Sequence, residues 1–261
     1  MTPVTFKQLT LGSGLPKICV PITGTDIAKV IGQAGEVVSS STDLVEWRLD
    51  YLNNLEDLDQ LVQTANRLTE ILGELPLIAT LRDRTEGGKR QIADSDYRDI
   101  YTELLTKTKI TAIDLEWQRD PETIKNLIAL AESNHVRTII SHHEFDHTPS
   151  EADMVSQLTA MARTNGSVVK LAVMPQSSDD VLALMNATHQ VSAIIDQPLI
   201  TMAMGALGAV SRIAGQTFNS CLTFASVHAQ SAPGQLSVEQ TRQILTTLAP
   251  TIEGLETSTL N

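Results

Sequence analysis

About eight short apolar runs recur along the chain, each followed by a segment with helical periodicity, and this alternation limits the fold more than any other feature. The strand-like runs fall at 17–22, 44–49, 77–82, 112–116, 136–141, 168–173, 199–202 and 222–225. Helical segments are expected at 26–39, about 55–72, about 96–107, 150–163, 179–191, 206–214 and 237–248, with a further one starting at Asp120-Pro121, a favourable helix opening. Runs this apolar suit a parallel sheet covered by helices. Roughly eight βα units in about 250 residues is what a closed (β/α)₈ barrel, the TIM barrel, requires. An open doubly wound sheet is the competing arrangement, but no Gly-x-Gly-x-x-Gly turn follows the first strand. The residues before Lys17 are expected to cap the barrel bottom. No linker or low-complexity tract interrupts 1–261, so the expectation is one α/β domain.

One run breaks the apolar rule. In Val168-Val-Lys-Leu-Ala-Val173, strand alternation puts Lys170 on the same side as Val168 and Ala172, with Val169, Leu171 and Val173 on the other. Such a lysine must snorkel to solvent, pair, or lose its charge; in the last case it is an amine able to form a Schiff base with a carbonyl. Other polar residues sit near the C-terminal ends of runs, where a barrel gathers its active site. Glu46, Arg48 and Asp50 follow at i, i+2, i+4 and should share a face, as should Thr80 with Arg82, Asp114 with Glu116, and Ser141 with His143. An internal layer of ion pairs would explain any one set. Their convergence on Lys170 points to a pocket for a small, oxygen-rich anion.

Acidic residues outnumber Lys and Arg by 31 to 19, a formal charge of -12 that repels phosphate backbones, and aromatics at 3% leave little for base stacking. Nucleic acid is therefore not expected as a partner. The start of the chain lacks the apolar core of a signal peptide, and the most apolar stretch, 199–210, is short and glycine-interrupted, so the expectation is a cytoplasmic protein with no membrane partner. Cys19 and Cys221 are expected to be buried, reduced thiols.

The motifs Glu46-Trp-Arg-Leu-Asp50, Leu81-Arg82 with Glu86-Gly-Gly88, Asp114-Leu-Glu116, Ser141-His-His-Glu-Phe145 with Thr148-Pro149, and Val169-Lys-Leu-Ala172 resemble those of type I 3-dehydroquinate dehydratase. So do Met202-Ala-Met-Gly205, Ser211-Arg212, Thr223-Phe-Ala225 and Ser231-Ala-Pro-Gly-Gln235, all in the family's order. The resemblance implies a (β/α)₈ barrel, usually a homodimer, that converts 3-dehydroquinate to 3-dehydroshikimate and water in the shikimate pathway without metal, nucleotide or other cofactor. It further implies that Lys170 forms the imine, that His143 is the general acid-base, and that Glu86 orients this histidine. Arg212 matches the ligand of the substrate carboxylate. Glu46, Arg48 and Arg82 match hydroxyl-binding and polarising positions, and Met202 and Met204 line the apolar side of the ring. Ser231 and Gln235 are expected to lie on a loop that can close over the mouth and bring both to the substrate. Burial and the cations Arg48, Arg82 and Arg212 are expected to favour a neutral Lys170 amine. Glu144 stands where the family more often has Asp or Asn, and His142 occupies a variable position.

Three other readings compete. His143-Glu-Phe-Asp-His147 formally matches the zinc-peptidase signature, which works only when both histidines lie on a helix; here the segment follows a strand and precedes Thr148-Pro149. A Schiff-base aldolase would share the barrel and the lysine but would be expected to accept an open-chain substrate. A non-catalytic barrel that binds small acids would have lost Lys170 or His143, and both are present.

Overall fold

The computed structural model describes residues 1–227 and 236–258, the side chains of 250–258 excepted. Among these residues, eight parallel strands form the barrel wall: β3 (Lys17–Ile22), β4 (Leu44–Arg48), β5 (Leu77–Thr80), β6 (Ala112–Glu116), β7 (Arg137–Glu144), β8 (Val168–Val173), β9 (Leu199–Ala203) and β10 (Leu222–Phe224). They pair in chain order, β10 pairing back onto β3. Between β9 and β10 the wall is drawn together by the Cys221 N–H donating to the Leu199 carbonyl at 2.7 Å and the Thr201 N–H donating to Ser220 Oγ at 2.9 Å. The fold is thus the expected (β/α)₈ barrel, nearly closed.

The helices are α1 (Ile27–Val38), α2 (Leu58–Leu72), α3 (Asp94–Lys107), α4 (Pro121–Ser133), α5 (Glu151–Ala162), α6 (Ser178–Ser192), the short α7 (Ala209–Ile213) and α8 (Gly215–Phe218), and α9 (Val238–Ser258). Most start where a short polar side chain can take up an orphan N–H of the first turn. Asp26 accepts from the Lys29 N–H, Asp57 from Gln60, Asp120 from Thr123 with Pro121 in the first turn, and Ser150 from Asp153; Ser177 and Asp180 close a reciprocal capping box. The segment expected as one helix at 206–214 is instead α7, with α8 following directly.

Alternation along the strands separates two cores. Val169, Leu171 and Val173 pack outward with the helices, together with Leu184, Val191 and Leu158. Val168 and Ala172 face inward with Leu44, Ile78, Ala112, Ile139, Ile200 and Leu222. Phe6 and Leu11, fully buried, belong to this inner cluster; they come from an antiparallel hairpin, β1 (Val4–Phe6) and β2 (Leu9–Leu11), that plugs the N-terminal end of the barrel. Each contributes roughly 1.5–3 kcal/mol by burial. With the bottom filled by apolar side chains, the open end is the C-terminal one, and the polar residues collect there.

Cys19 and Cys221 are free and buried, and burial pushes both thiols up, Cys221 to about 12. No helix among the described residues is long and apolar enough to cross a membrane.

Candidate active site

Lys170 lies in the middle of β8, 4% exposed, with its amine inside the barrel. Its Nζ donates to Asp114 Oδ2 at 2.9 Å, lies 3.6 Å from Glu46 Oε1, and sits 4.9 Å from the centroid of the Phe224 ring. Its charged partners are therefore carboxylates, whereas the sequence leads one to expect arginines. The reason is that two of the three arginines are held by carboxylates of their own. Arg82 donates to Asp114 Oδ1 at 2.7 Å, Glu86 Oε2 at 3.1 Å, Glu116 Oε1 at 3.2 Å and Ser141 Oγ at 3.0 Å. Arg48 grips Asp50 through two bonds of 2.8 and 2.9 Å.

The expected face-sharing of Glu46, Arg48 and Asp50 on one strand needs correction. β4 stops at Arg48, and Leu49–Tyr51 form a 3-10 turn that folds Asp50 back against the Arg48 guanidinium. Likewise β5 ends at Thr80, so Arg82 lies beyond the strand, while β7 continues past Ser141 to Glu144. The extension is held by pairing with β8, which sets His142 beside Leu171 and His143 beside Ala172. Asp114 and Glu116 meet Arg82 together, as their shared face requires.

His143 Nδ1 is 2.9 Å from Glu86 Oε2, and the Glu86 carboxylate also meets His142 Nδ1 through Oε1 at 3.1 Å. Alternation leads one to expect these imidazoles on opposite sides; they flank a single carboxylate, with His143 facing the cavity. Glu86 is delivered by a 3-10 turn, Arg84–Glu86, that ends on Gly87 at φ 83°. A Cβ on Gly87 would lie 2.2 Å from the Phe145 ring, and one on Gly88 would lie 1.9 Å from the Arg82 carbonyl oxygen. The Gly-Gly pair is thus what lets this turn close against the site. Phe145 in turn stacks on the His143 ring, 6.5 Å between centroids.

The electrostatics follow from burial among fixed charges. Burial would raise the Glu86 carboxyl, but hydrogen bonds from His142 and His143 and the Arg82 charge outweigh it and hold it well below the usual carboxylate range. Asp114 is likewise raised by burial but held low by Arg82 and Lys170. For His143, burial and the Arg82 and Lys170 cations push the imidazole down to about 3, so it is neutral over the working range and one ring nitrogen keeps its lone pair. The signs agree for stability: depressed Glu86 and Asp114 stabilise the fold above about pH 4, and protonating them in acid removes that contribution. His143 acts the same way, because below about pH 6.5 an unfolded chain binds a proton that the native imidazole refuses until about 3.

Arg212 stands apart from the other arginines. It is 4% exposed on α7, its Nε has no hydrogen-bond partner among the described residues, and Nη1 reaches only Met202 Sδ at 3.8 Å. Burial lowers it to about 10, so it remains charged. A buried guanidinium left uncompensated at a cavity wall is a site for an anion. The cavity, about 300 Å³, is lined by Glu46, Arg48, Arg82, Glu86, His143, Lys170, Met202, Met204 and Arg212, so these expected site residues come together. Ser231 and Gln235 lie outside the described residues. Tyr51, Phe145, Met174 and Phe224 also line it, and the sequence reading gives none of them a separate role. Apolar side chains near strand ends look like core until the barrel is closed.

The zinc signature fails on geometry: His143 is a residue of β7, and His147 is beyond the strand with its side chain 57% exposed, so the two are not one helical turn apart. Among the described residues no cluster of three or more His, Cys, Asp or Glu could hold a metal ion. Prolonged chelation is expected to leave activity intact, and purified protein to lack stoichiometric zinc. Activity lost to a chelator and recovered with zinc would restore the hydrolase reading.

A parallel barrel whose C-terminal mouth joins a buried strand lysine, a carboxylate-bound neutral histidine and a guanidinium with no carboxylate partner among the described residues defines a class: α/β-barrel enzymes with a polar site for a small anion at the mouth. Within it the relationship is specific, because residues 18–251 match the family model for type I 3-dehydroquinase, and the chain belongs to that family. A relative from Lactiplantibacillus plantarum, a 3-dehydroquinate dehydratase, is 40% identical over 239 residues, covering 92% of this chain and 95% of its own. One from Listeria monocytogenes is 38% identical, covering 94% and 97%. The crystal structure of the type I 3-dehydroquinate dehydratase of Clostridium difficile, with covalently modified comenic acid, has a TM-score of 0.92 at 35% identity, covering 95% of this chain and 98% of that one.

Proposed function

We propose that the protein dehydrates 3-dehydroquinate to 3-dehydroshikimate through an imine on Lys170, as a cytoplasmic homodimer of the shikimate pathway. The observation that carries this reading is the grouping of amine, neutral imidazole and a guanidinium unpaired among the described residues around one cavity of about 300 Å³. Arg212 takes the substrate carboxylate, which fixes the ring so that its ketone meets the Lys170 amine. Asp114 accepts a hydrogen bond from that amine at 2.9 Å and orients it. Condensation expels the ketone oxygen as water and leaves a protonated imine, an electron sink for the adjacent carbon. Neutral His143 removes the proton beside the imine, giving an enamine, and returns a proton to the departing hydroxyl, which leaves as water. Hydrolysis of the imine then frees the product and restores Lys170. Glu86 holds the His143 Nδ1–H, so Nε2 is the nitrogen free to work; this tautomer follows from the 2.9 Å contact.

Mixing the protein with 3-dehydroquinate tests the reading directly, since the product is a conjugated enone that absorbs in the ultraviolet. Growth of that band is expected with the intact protein, and Arg212→Ala is expected to raise KM at least 10-fold through loss of the charged bond. No enone from a folded preparation would overturn the assignment. An aldolase would instead cleave a carbon–carbon bond in an open-chain substrate.

A further inference from the structure

The mechanism leaves His142 unused, yet it is 3% exposed and more tightly engaged than His143. Its Nδ1 lies 3.1 Å from Glu86 Oε1 and its Nε2 lies 2.7 Å from Glu144 Oε1. Its other contacts among the described residues are to neutral side chains: the Gln118 amide nitrogen is 3.5 Å from Nε2, and the Trp117 ring stands edge-on at 6.4 Å. The groups facing His142 are therefore one carboxylate from the turn after β5, one from β7 itself, and neutral side chains from the segment after β6. Beyond them, Arg82 holds the far oxygen of Glu86, and His147 lies 4.0 Å from Glu144.

Both carboxylates only accept. A neutral imidazole has one N–H and could satisfy one of them; an imidazolium satisfies both. Glu86 is thereby gripped at both oxygens, by His143 and Arg82 at Oε2 and by His142 at Oε1. A carboxylate held at one oxygen can rotate about its last bond; held at both, it cannot without breaking a buried hydrogen bond. Since Glu86 sets the orientation of His143, what fixes the plane of Glu86 fixes the base.

We propose that His142, held as an imidazolium between Glu86 and Glu144, is a positioning residue that locks Glu86 onto His143 and, when it loses its proton, limits turnover on the alkaline side. The proposal rests on the dehydratase reading. Burial works against the charge on His142, but the hydrogen bonds it donates to Glu86 and Glu144 outweigh that and raise the imidazole above its ordinary value. The sign is definite: the stabilising contribution is full below about pH 6.5 and is lost as pH rises through the raised value. At that point one N–H disappears, and either Glu86 or Glu144 is left without its donor.

The test is the pH profile of kcat and KM for 3-dehydroquinate in the full chain, with Glu144→Gln and His142→Phe. Glu144→Gln removes the second anion and is expected to move the alkaline limb to lower pH by roughly one unit or more, the scale of losing an opposite charge at contact. His142→Phe is expected to abolish that limb and lower kcat about 10- to 100-fold, the usual cost of removing a group that orients a reacting one, while KM stays within about 2-fold because His142 does not line the cavity. Ring ¹⁵N shifts of wild-type His142, with both nitrogens protonated at pH 7, would support the proposal even if the phenylalanine variant failed to fold. An active wild type whose alkaline limb ignores Glu144→Gln, or a His142 ring with one bare nitrogen at pH 7, overturns the His142 assignment and leaves the dehydratase reading standing. A wild type with no turnover at all overturns the dehydratase reading first.

Discussion

Lys170→Met is expected to remove turnover, on the order of 10⁶-fold, the scale on which deleting a covalent nucleophile acts, and borohydride reduction in the presence of 3-dehydroquinate or its product is expected to label the wild-type chain on Lys170 and leave the variant unlabelled. Methionine keeps the length and bulk of the side chain, so the apolar contacts of the stem survive. What it removes is the amine and its charge. Asp114 then loses one partner but keeps Arg82 Nη2 at 2.7 Å and the Ser141 hydroxyl at 2.5 Å, and Glu46 keeps the Thr80 hydroxyl at 2.9 Å. Taking one member from an otherwise isolated buried pair costs roughly 3–5 kcal/mol; with these partners retained, the loss is expected below that range and the variant to fold. Thermal melting checks the fold, and peptide mapping locates the adduct. An adduct on another lysine, or an active preparation with no adduct, overturns the assignment of Lys170.

The strongest parts of this site were legible because they break a local rule. A lysine in an apolar strand is a conflict between propensity and burial, and such conflicts mark functional positions. The barrel itself follows from repetition, and the sides taken by Val168, Lys170 and Ala172 follow from the period of two. What was not legible lies where backbone geometry departs from that period. Ser141-His-His-Glu reads as the end of a strand because its residues are polar, yet β7 runs to Glu144, where pairing with β8 continues. Asp50 counts as a strand residue until the 3-10 turn at Leu49 folds it onto Arg48. Arg82 could be placed in the pocket from its spacing but not assigned its three carboxylates, since Glu86, Asp114 and Glu116 come from two different segments. The pairing of the two histidines on Glu86 also depends on a turn closed by Gly87 and Gly88, which spacing along β7 does not encode.

His143→Ala separates binding from proton transfer. With the imidazole gone, Lys170 and Arg212 still face the cavity, so substrate is expected to bind with KM little changed, and the imine to form slowly, detectable by borohydride trapping. Removal of the proton beside the imine then fails. General acid-base catalysis is worth typically 10² to 10⁴-fold, and one histidine that serves both proton removal and departure of the hydroxyl puts the expected loss in kcat at about 10⁴-fold or more. The environment makes the assignment selective. His143 is pushed down to about 3 by burial and the Arg82 and Lys170 cations, so it stays neutral and keeps a lone pair, whereas both nitrogens of His142 face carboxylates and the imidazolium proposed for it has no lone pair to offer. His142→Ala should therefore cost far less than His143→Ala, and its effect should fall on kcat through the alignment of Glu86. Measuring turnover and trapped adduct for the two variants decides between them. Equal losses, or a nearly active His143→Ala, would mean that the base is another residue.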